Sequence, residues 1–225
     1  MRQAFAYGID KEEIRRGAFW GLGTIVNQKM SPKSPWYFPI PERKRDVERA
    51  KQLLQEAGHP NGISGRLLVW RGSEAESEIM QRQLREARIQ LELEIIDFTT
   101  YIRRLGTGEY SVGTYGGDYD PDPHLNYYAY FYTTPGKRQE RNHTRFSNER
   151  MDKLLDEGAI TLDRKRRLAI YKEAVEILDR EVPVIWLAMA PYVYVHRGVV
   201  KEFATDSQGL YFSGDQGLPY ARVEP

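Results

Sequence analysis

The chain has 225 residues, with 33 Lys and Arg against 32 Asp and Glu, so its formal net charge is +1. A protein with a net charge this close to zero lacks the excess of basic residues that is typical of nucleic-acid-binding proteins. The absence of cysteine excludes disulfides, thiol catalysis and cysteine-ligated metal sites. A hydrophobic fraction of 40% indicates a folded core. No apolar run reaches the roughly 18 residues that a membrane-spanning helix needs.

The first part of the chain predicts two short helices and a proline-rich loop. Phe5 and Ile9 lie one helical turn apart at the very start, so we expect Met1 to begin inside a longer protein. Asp10, with glutamate three residues later, is typical of the cap of a second helix. The loop over 31–39 carries three aromatic residues that either cover a ligand or pack the loop onto the body. The sequence favours packing.

The following segments alternate between helical and strand patterns. The predicted helices cover 46–57, 74–87 and a segment capped by Thr99 that ends near residue 106, and the predicted strands cover 67–70, 90–97 and 110–115. This strand–helix–strand–helix–strand order predicts an α/β layer.

The second half of the chain predicts two further helices and an aspartate-rich loop. The loop covers 115–124, and a tyrosine-rich stretch follows it directly. Helices are predicted over 148–159 and 163–181, and an apolar run with strand character over 184–195. The last thirty residues are glycine-rich and show little periodicity, which is typical of a tail that lies on another surface.

The carboxylates of the aspartate-rich loop allow several interpretations. Asp118, Asp120 and Asp122 match the first three ligand positions of an EF-hand, but Pro123 and Ala129 stand where that loop needs glycine and glutamate. An acid/base pair for glycoside hydrolysis and a carboxylate that meets a ligand cation both remain open. A solvated turn rich in Asp and Pro is the structural alternative.

The sequence lacks the other common catalytic and cofactor motifs. It contains no nucleophile elbow, no complete dinucleotide-binding glycine loop and no phosphate-loop lysine. Its four histidines lie far apart without the spacing of metal ligands. We therefore predict neither a cofactor nor a bound metal.

The order of these segments resembles the C-terminal half, or second lobe, of the family 5 extracytoplasmic solute-binding proteins, the dipeptide- and oligopeptide-type binders of ABC importers. The resemblance covers roughly residues 1–200 and depends on an ordered set of short segments. They are Arg2-Gln3-Ala4, Ala50-Lys51 with Leu53-Leu54 and Ala57-Gly58, Gly108-Glu109-Tyr110, Gly116-Gly117-Asp118-Tyr119, Phe146-Ser147-Asn148, and Tyr171-Lys172-Glu173-Ala174.

The resemblance implies an α/β fold of the periplasmic-binding-protein type, a mixed sheet flanked by helices, without the N-terminal lobe. Residues 1–185 would form the second, ligand-closing lobe, and residues 186–225 a return or hinge strand and a tail that packs on the first lobe. Two departures concern the fold and the site. Arg88 stands where the family commonly has a glycine, and Tyr115 where it has a tryptophan.

The function that the resemblance implies is binding without catalysis. The protein would capture a peptide or peptide-like solute between two lobes outside the cytoplasm and deliver it to a membrane-embedded ABC permease. Asp118 would pair with the α-ammonium of the ligand, and Tyr115 and Gly116 would offer strand contacts. The remaining candidate ligand-binding residues are Gly117, Tyr119 and Trp186.

Three alternatives remain open at this point. An oligosaccharide-binding member of the same family would use the aromatic residues near the loop for stacking on sugars. A glycoside hydrolase would use Asp118 with Asp120 or Glu109. An interaction domain would dock a partner protein through its aromatic patches. We also expect an isolated lobe to bind ligand weakly and to associate with itself, because half a cleft buries only one side of a ligand.

Overall fold

The computed structural model of the protein describes residues 1–117, 120–133, 141–190, 197, 199–201 and 222–223. Contacts divide the chain into two units, Met1–Ala188 and Met189–Pro225. Among the described residues, no helix is long and apolar enough to cross a membrane.

The first unit opens with short helices and the long connection that the sequence predicts. The elements are α1 (Arg2–Gly8), α2 (Lys11–Ala18), β1 (Thr24–Ile25) and α3 (Val47–Glu56). Asp10 caps α2 by accepting a hydrogen bond from the Glu13 N–H at 3.0 Å. In the connection, Phe38 is buried, and Trp36 and Tyr37 pack against the same hydrophobic cluster. The packing interpretation of the proline-rich loop is therefore confirmed.

A three-stranded parallel sheet forms the centre of this unit. Its elements are β2 (Ile63–Trp70), α4 (Glu74–Glu86), β3 (Ile89–Ile96), α5 (Phe98–Thr107) and β4 (Val112–Gly113). The strand order is β3-β2-β4, and both pairings are parallel. The resemblance implied a mixed sheet, whereas every pairing described in this sheet is parallel. The strand predicted over 110–115 is shorter than expected because β4 pairs with β2 only at Leu67 and Leu68.

Helices cover both faces of the sheet, and successive residues of β2 pack against opposite faces. Leu67 and Val69 of β2 and Leu91 of β3 face the cluster that also contains residues of α1 to α4. Leu68 faces the opposite way and packs against Tyr101 and Leu105 of α5. The predicted helical cap at Thr99 is wrong. Asp97 is the N-cap of α5 and accepts from the Thr100 N–H at 3.0 Å, so the helix begins earlier.

Three helices form the second half of the unit, one of which the sequence reading missed. They are α6 (Pro123–Phe131), α7 (Glu149–Ile160) and α8 (Arg164–Glu181), capped by Asp122, Asn148 and Asp163 respectively. Their buried residues form one hydrophobic cluster together with Met30, Phe38 and Ile40. The long connection before α3 is thereby attached to the helical half of the unit.

The strand character predicted after α8 begins later than expected, since residues 184–187 lie outside any strand. Of the run over 184–195, the structure describes a strand only at β5 (Ala188–Met189), and residues 191–196 lie outside the described residues. The Val26 N–H donates to the Leu187 carbonyl at 3.4 Å, so this segment runs beside the end of β1. In the second unit, β6 (Val200–Lys201) and β7 (Arg222–Val223) pair antiparallel. Most of the predicted tail lies outside the described residues.

The turn before β3 has a left-handed residue that is not glycine. Arg88 has φ of 62°, the conformation for which the family commonly uses glycine. Its guanidinium donates to the Pro60 carbonyl at 2.9 Å in an exposed position, where a hydrogen bond contributes little. The local backbone therefore carries strain that the side chain only partly offsets.

We expect Arg88→Gly to stabilise the chain by about 0.5–1 kcal/mol, because glycine adopts this conformation without steric cost. Urea denaturation followed by circular dichroism measures the change. Arg88→Ala is the matched control, since it removes the guanidinium and keeps the strain; we expect no gain from it. Equal stability of both variants would show that the left-handed backbone is not the cause.

Candidate functional site

An exposed glycine-containing loop follows the last strand of the parallel sheet. Because β2, β3 and β4 run parallel, their carboxyl ends meet at one edge of the sheet, where ligands of α/β proteins commonly bind. The chain leaves β4 at this edge and continues through Tyr115, Gly116 and Gly117, all of which are exposed. The three residues form one continuous exposed segment.

The two glycines of this loop have different surroundings. A Cβ placed on Gly117 would lie 3.2 Å from each of Lys29 Nζ, Tyr115 Cε1 and the Tyr130 hydroxyl. A Cβ on Gly116 would meet no atom of the described residues within 4 Å, and the φ of Gly116 is not in the left-handed region. Packing therefore limits the residue at 117. At 116, neither the neighbours nor the backbone conformation requires glycine.

Aromatic and basic side chains surround the loop. The ring of Tyr115 lies 6.1 Å from that of Tyr130 and 5.1 Å from the imidazole of His143, measured between centroids. Burial, with a smaller contribution from the Arg141 charge, lowers the pKa of His143 below its usual value. Lys29 Nζ lies 3.8 Å from the centroid of the Tyr130 ring. Lys29 itself is buried, with 8% of its surface exposed.

The far side of the aspartate-rich loop is fixed by Asn126 of α6. This buried amide accepts a hydrogen bond from the Asp120 N–H at 3.0 Å and donates to the carbonyls of Asp120 and Asp122. Its nitrogen also lies 3.3 Å from Met30 Sδ. One side chain thus holds two residues of the loop against the start of α6 and the hydrophobic cluster.

Asp122 has a structural role in the same region. Its carboxylate accepts from the His124 N–H at 2.7 Å, which caps α6, and from both terminal nitrogens of Arg167 at 2.8 and 2.9 Å. Partial burial alone would raise the pKa of Asp122. The hydrogen bonds from Arg167 and from the His124 N–H, together with the Arg167 charge, outweigh it and hold the pKa below its ordinary value.

These contacts give structural partners to Asp120, Asp122 and Glu109. Asp122 is a cap and an ion-pair partner. The Asp120 carboxylate accepts from the Asp122 N–H at 3.1 Å, a local turn contact. Glu109, the other carboxylate considered for acid/base chemistry, lies 3.5 Å from the guanidinium of Arg103. Among the described residues no group of three or more histidines and carboxylates is arranged to hold a metal ion.

The predicted site residues fall into three groups. Tyr115, Gly116 and Gly117 lie together in the exposed loop. Trp186 is half-buried and packs edge-to-face on Phe131 of α6 at 6.2 Å, one residue along the helix from the Tyr130 that meets Tyr115. Asp118 and Tyr119 lie outside the described residues.

The sequence analysis missed Lys29, Tyr130 and Asn126 as neighbours of the loop. Lys29 is far from the loop in sequence and lies in the proline-rich connection, where no pattern marks it. Tyr130 and Asn126 lie on α6, which was not predicted. The pair Asp122-Pro123 was the available signal for that helix, since a capping residue followed by proline is typical of a helix start.

Comparison with curated proteins finds relatives that are named as solute-binding proteins. The chain is 23% identical to the dipeptide-binding protein of Escherichia coli strain K12, over 94% of this chain and 41% of the relative. It is 28% identical to heme-binding protein A of Haemophilus influenzae, over 84% of this chain and 36% of the relative. The chain thus spans about two fifths of the length of these relatives.

Solved structures show the same fold. HbpA2 from Haemophilus parasuis superimposes with a TM-score of 0.81 at 25% identity, covering 100% of this chain and 45% of that one. The periplasmic binding protein DppA from Helicobacter pylori, in complex with the peptide STSA, gives a TM-score of 0.82 at 24% identity, covering 90% of this chain and 40% of that one. The fold is therefore that of a periplasmic-binding-protein lobe.

One protein family matches the greater part of the chain. It is described as the bacterial extracellular solute-binding proteins, family 5 Middle, and it matches residues 1–139, which include the sheet, the exposed loop and α6. The chain belongs to the family 5 bacterial extracellular solute-binding proteins.

Proposed function

We propose that residues 1–185 form the ligand-closing second lobe of a solute-binding protein that serves an ABC importer outside the cytoplasm. Residues 186–225 would supply the return or hinge strand and a tail on the first lobe. A peptide or peptide-like solute would be captured between the two lobes and delivered to the membrane permease. The proposal is supported by family membership and by relatives that are named as dipeptide- and di/tripeptide-binding proteins.

The observation that carries a binding role is the glycine at position 116. The described part of the fold does not require it, because its backbone is not left-handed and a Cβ would meet none of the described residues within 4 Å. A bare backbone at the carboxyl edge of a parallel sheet allows an extended ligand to approach closely enough for main-chain hydrogen bonds. A ligand contact would account for the glycine at position 116, for which the described packing gives no reason.

The other site residues take roles in this proposal from their positions in the chain. Asp118, directly after the two glycines, would pair with the α-ammonium of the ligand. Tyr115 would share the strand contact with Gly116, and Tyr119 and Trp186 would form part of the pocket wall. Burying such a charge pair orients the ligand as well as contributing affinity.

We expect Gly116→Val to weaken peptide binding at least tenfold while leaving the free energy of unfolding within about 0.5 kcal/mol of the parent. The larger side chain would occupy the space that the ligand backbone needs. Titration of the labelled 225-residue chain with Ala-Ala-Ala, followed by NMR chemical shifts, measures the affinity. Gly65→Ala, in the interior of β2, is the matched glycine control. Unchanged affinity in Gly116→Val would contradict the proposed ligand position.

Asp118→Asn tests the charge pair in the same titration. We expect about a tenfold loss for Ala-Ala-Ala and no loss for its N-acetylated form, which has no ammonium to pair. Recovery of the peptide intact after incubation separates binding from hydrolysis. Binding of a malto-oligosaccharide in place of peptides would favour the sugar-binding alternative, and turnover of a chromogenic glycoside would favour the enzyme.

A further inference from the structure

The turn between α7 and α8 presents two apolar side chains to solvent. Ile160, the last residue of α7, is 80% exposed, and Leu162, in the turn itself, is 98% exposed. They are two of the three most exposed large hydrophobic residues in the described part of the chain. A single exposed apolar residue is ordinary on a protein surface, but two that lie two positions apart form a patch.

Capping contacts on both sides hold this turn in shape. The N–H and the hydroxyl of Thr161 both donate to the Glu157 carbonyl, at 3.1 and 2.7 Å, and close the end of α7. Asp163 caps α8 by accepting from the Arg166 N–H at 2.8 Å. The backbone therefore holds the two apolar side chains outward, and a surface that meets them does not have to order the turn first.

Basic residues follow the turn directly. Residues 164–167, the first turn of α8, are Arg-Lys-Arg-Arg and include no acidic residue. Arg166 and Arg167 are each paired with a carboxylate. Arg164 and Lys165 are exposed, and neither takes part in an ion pair among the described residues. Positive charges at a helix N-terminus oppose the helix dipole, so helix stability does not account for these two.

Exposed apolar side chains beside unpaired cations are complementary to an anionic membrane. Such a membrane offers lipid phosphates to the cations and, below them, an apolar layer to the aliphatic side chains. A protein partner would need a pocket to cover Leu162, whereas a membrane accepts a side chain that projects this far from the surface. Because the net charge of the whole chain is only +1, attraction to anionic lipid would depend on local charges.

We propose that the apolar–basic tip, defined as Ile160, Leu162, Arg164 and Lys165, is a docking surface for an anionic phospholipid membrane. The leucine and the isoleucine would enter the membrane interface while the two cations meet lipid phosphates. This inference goes beyond the proposed function, because it concerns a contact with lipid and no property of the solute. Such a contact would hold the protein at the membrane in which an importer lies.

The test measures the partition of the 225-residue chain into sucrose-loaded vesicles by sedimentation. In about 50 mM salt we expect at least tenfold stronger partition into phosphatidylglycerol vesicles than into phosphatidylcholine vesicles, and in about 500 mM salt a loss of most of this difference. Leu162→Ser and Lys165→Glu should each weaken partition into the anionic vesicles at least threefold, since one removes apolar contact and the other reverses a charge.

Two matched variants control for exposure and for net charge. Leu22→Ser changes another exposed leucine, in the turn before β1. Lys44→Glu makes the same change in net charge at an exposed lysine of the connection before α3. Its neighbour Arg43 pairs with Asp179 near the other end of α8, about 20 Å from the tip at the rise of an α-helix. We expect neither control to change the partition by as much as twofold.

Several results would overturn the membrane surface. They are equal partition into both kinds of vesicle, no partition into either, and unchanged partition of Leu162→Ser and Lys165→Glu. Binding of polyglutamate that depends on Lys165 and not on Leu162, without binding of vesicles, would show an acidic protein partner instead. Far-UV circular dichroism that matches the parent shows that a weaker partition does not come from unfolding. Peptide affinity should be unchanged in both variants, so failure of this inference leaves the proposed function standing.

Discussion

Gly62→Ala is expected to destabilise the first unit by about 2–4 kcal/mol. Gly62 has φ of 91°, a conformation that costs an L-residue roughly 1–2 kcal/mol. A Cβ there would also lie 2.7 Å from Arg88 Cβ and deep inside contact distance of the Arg88 carbonyl oxygen. That carbonyl accepts the Ile63 N–H at 3.0 Å at the start of β2, so the backbone has little freedom to move away.

Gly58→Ala is the matched control for this prediction. Gly58 has a similar φ of 84°, but a Cβ there would meet nothing within 4 Å. We expect Gly58→Ala to lower the free energy of unfolding by about 1 kcal/mol, the cost of placing an L-residue in the left-handed conformation. Urea denaturation of the two variants and the parent gives both values. Equal losses in the two variants would show that the chain relieves the predicted clash at Arg88 without cost.

Arg167→Met is expected to destabilise the unit by about 2–3 kcal/mol at neutral pH. The substitution leaves Asp122 partly buried without its bidentate partner, and it removes a hydrogen bond of 2.8 Å to the Gly158 carbonyl. It also removes guanidinium contacts with the rings of Trp36 and Tyr171, at 5.1 and 5.4 Å. The side chain of Asp122 is 42% exposed, so solvent screening reduces the loss below that of a fully buried pair.

The same loss should depend on pH in a defined direction. The pKa of Asp122 is lowered in the folded protein. In acid, the Asp122 carboxyl group therefore binds fewer protons in the folded protein than in the unfolded chain. The pair therefore contributes fully above the ordinary aspartate pKa of about 3.9 and is lost as the pH falls through the lowered folded value. The stability difference between parent and Arg167→Met should therefore shrink as the pH falls below about 4.

Arg166→Met is the control for the arginine substitution. Arg166 is 67% exposed and pairs with Glu157 at 2.6 Å on the surface, where such pairs contribute little. We expect a change within about 0.5 kcal/mol. A difference between parent and Arg167→Met that grows toward acid would contradict the assigned ion pair.

The predicted elements that match the structure are those with a strong local signal. Asp46 before α3 and Asp163 before α8 both cap the helices that the sequence predicts. Each carboxylate accepts a hydrogen bond from a free N–H group in the first turn of its helix. Thr99 failed as a cap because Asp97, two residues earlier, is a better acceptor for the free N–H groups of α5.

The missed helix α6 and the missed neighbours of the loop have different physical causes. α6 carries aromatic residues on most of its surface, with Tyr127 and Phe131 buried and Tyr128 exposed, so its apolar residues mark no single face. Lys29 meets Gly117 only because the long connection packs onto α6. A contact between such distant segments produces no periodic pattern in the sequence. The two glycines of the loop, Gly116 and Gly117, could in contrast be identified from the sequence alone.

The attachment of the long connection to the helical cluster also has a consequence for the order of folding. At the centre of the sheet cluster, β2 pairs with β3 over short sequence separations, in a register that joins Ile63 to Ile89 and Trp70 to Ile96. The helical cluster closes only when residues near Met30 meet α6, at sequence separations of 96 and 99 residues. Closing loops of that length costs chain entropy before any contact is gained. Amide protons of β2 and β3 should therefore gain protection before those of α6 in a pulse-labelling experiment, and the glycine loop should receive its Lys29 neighbour in the later phase.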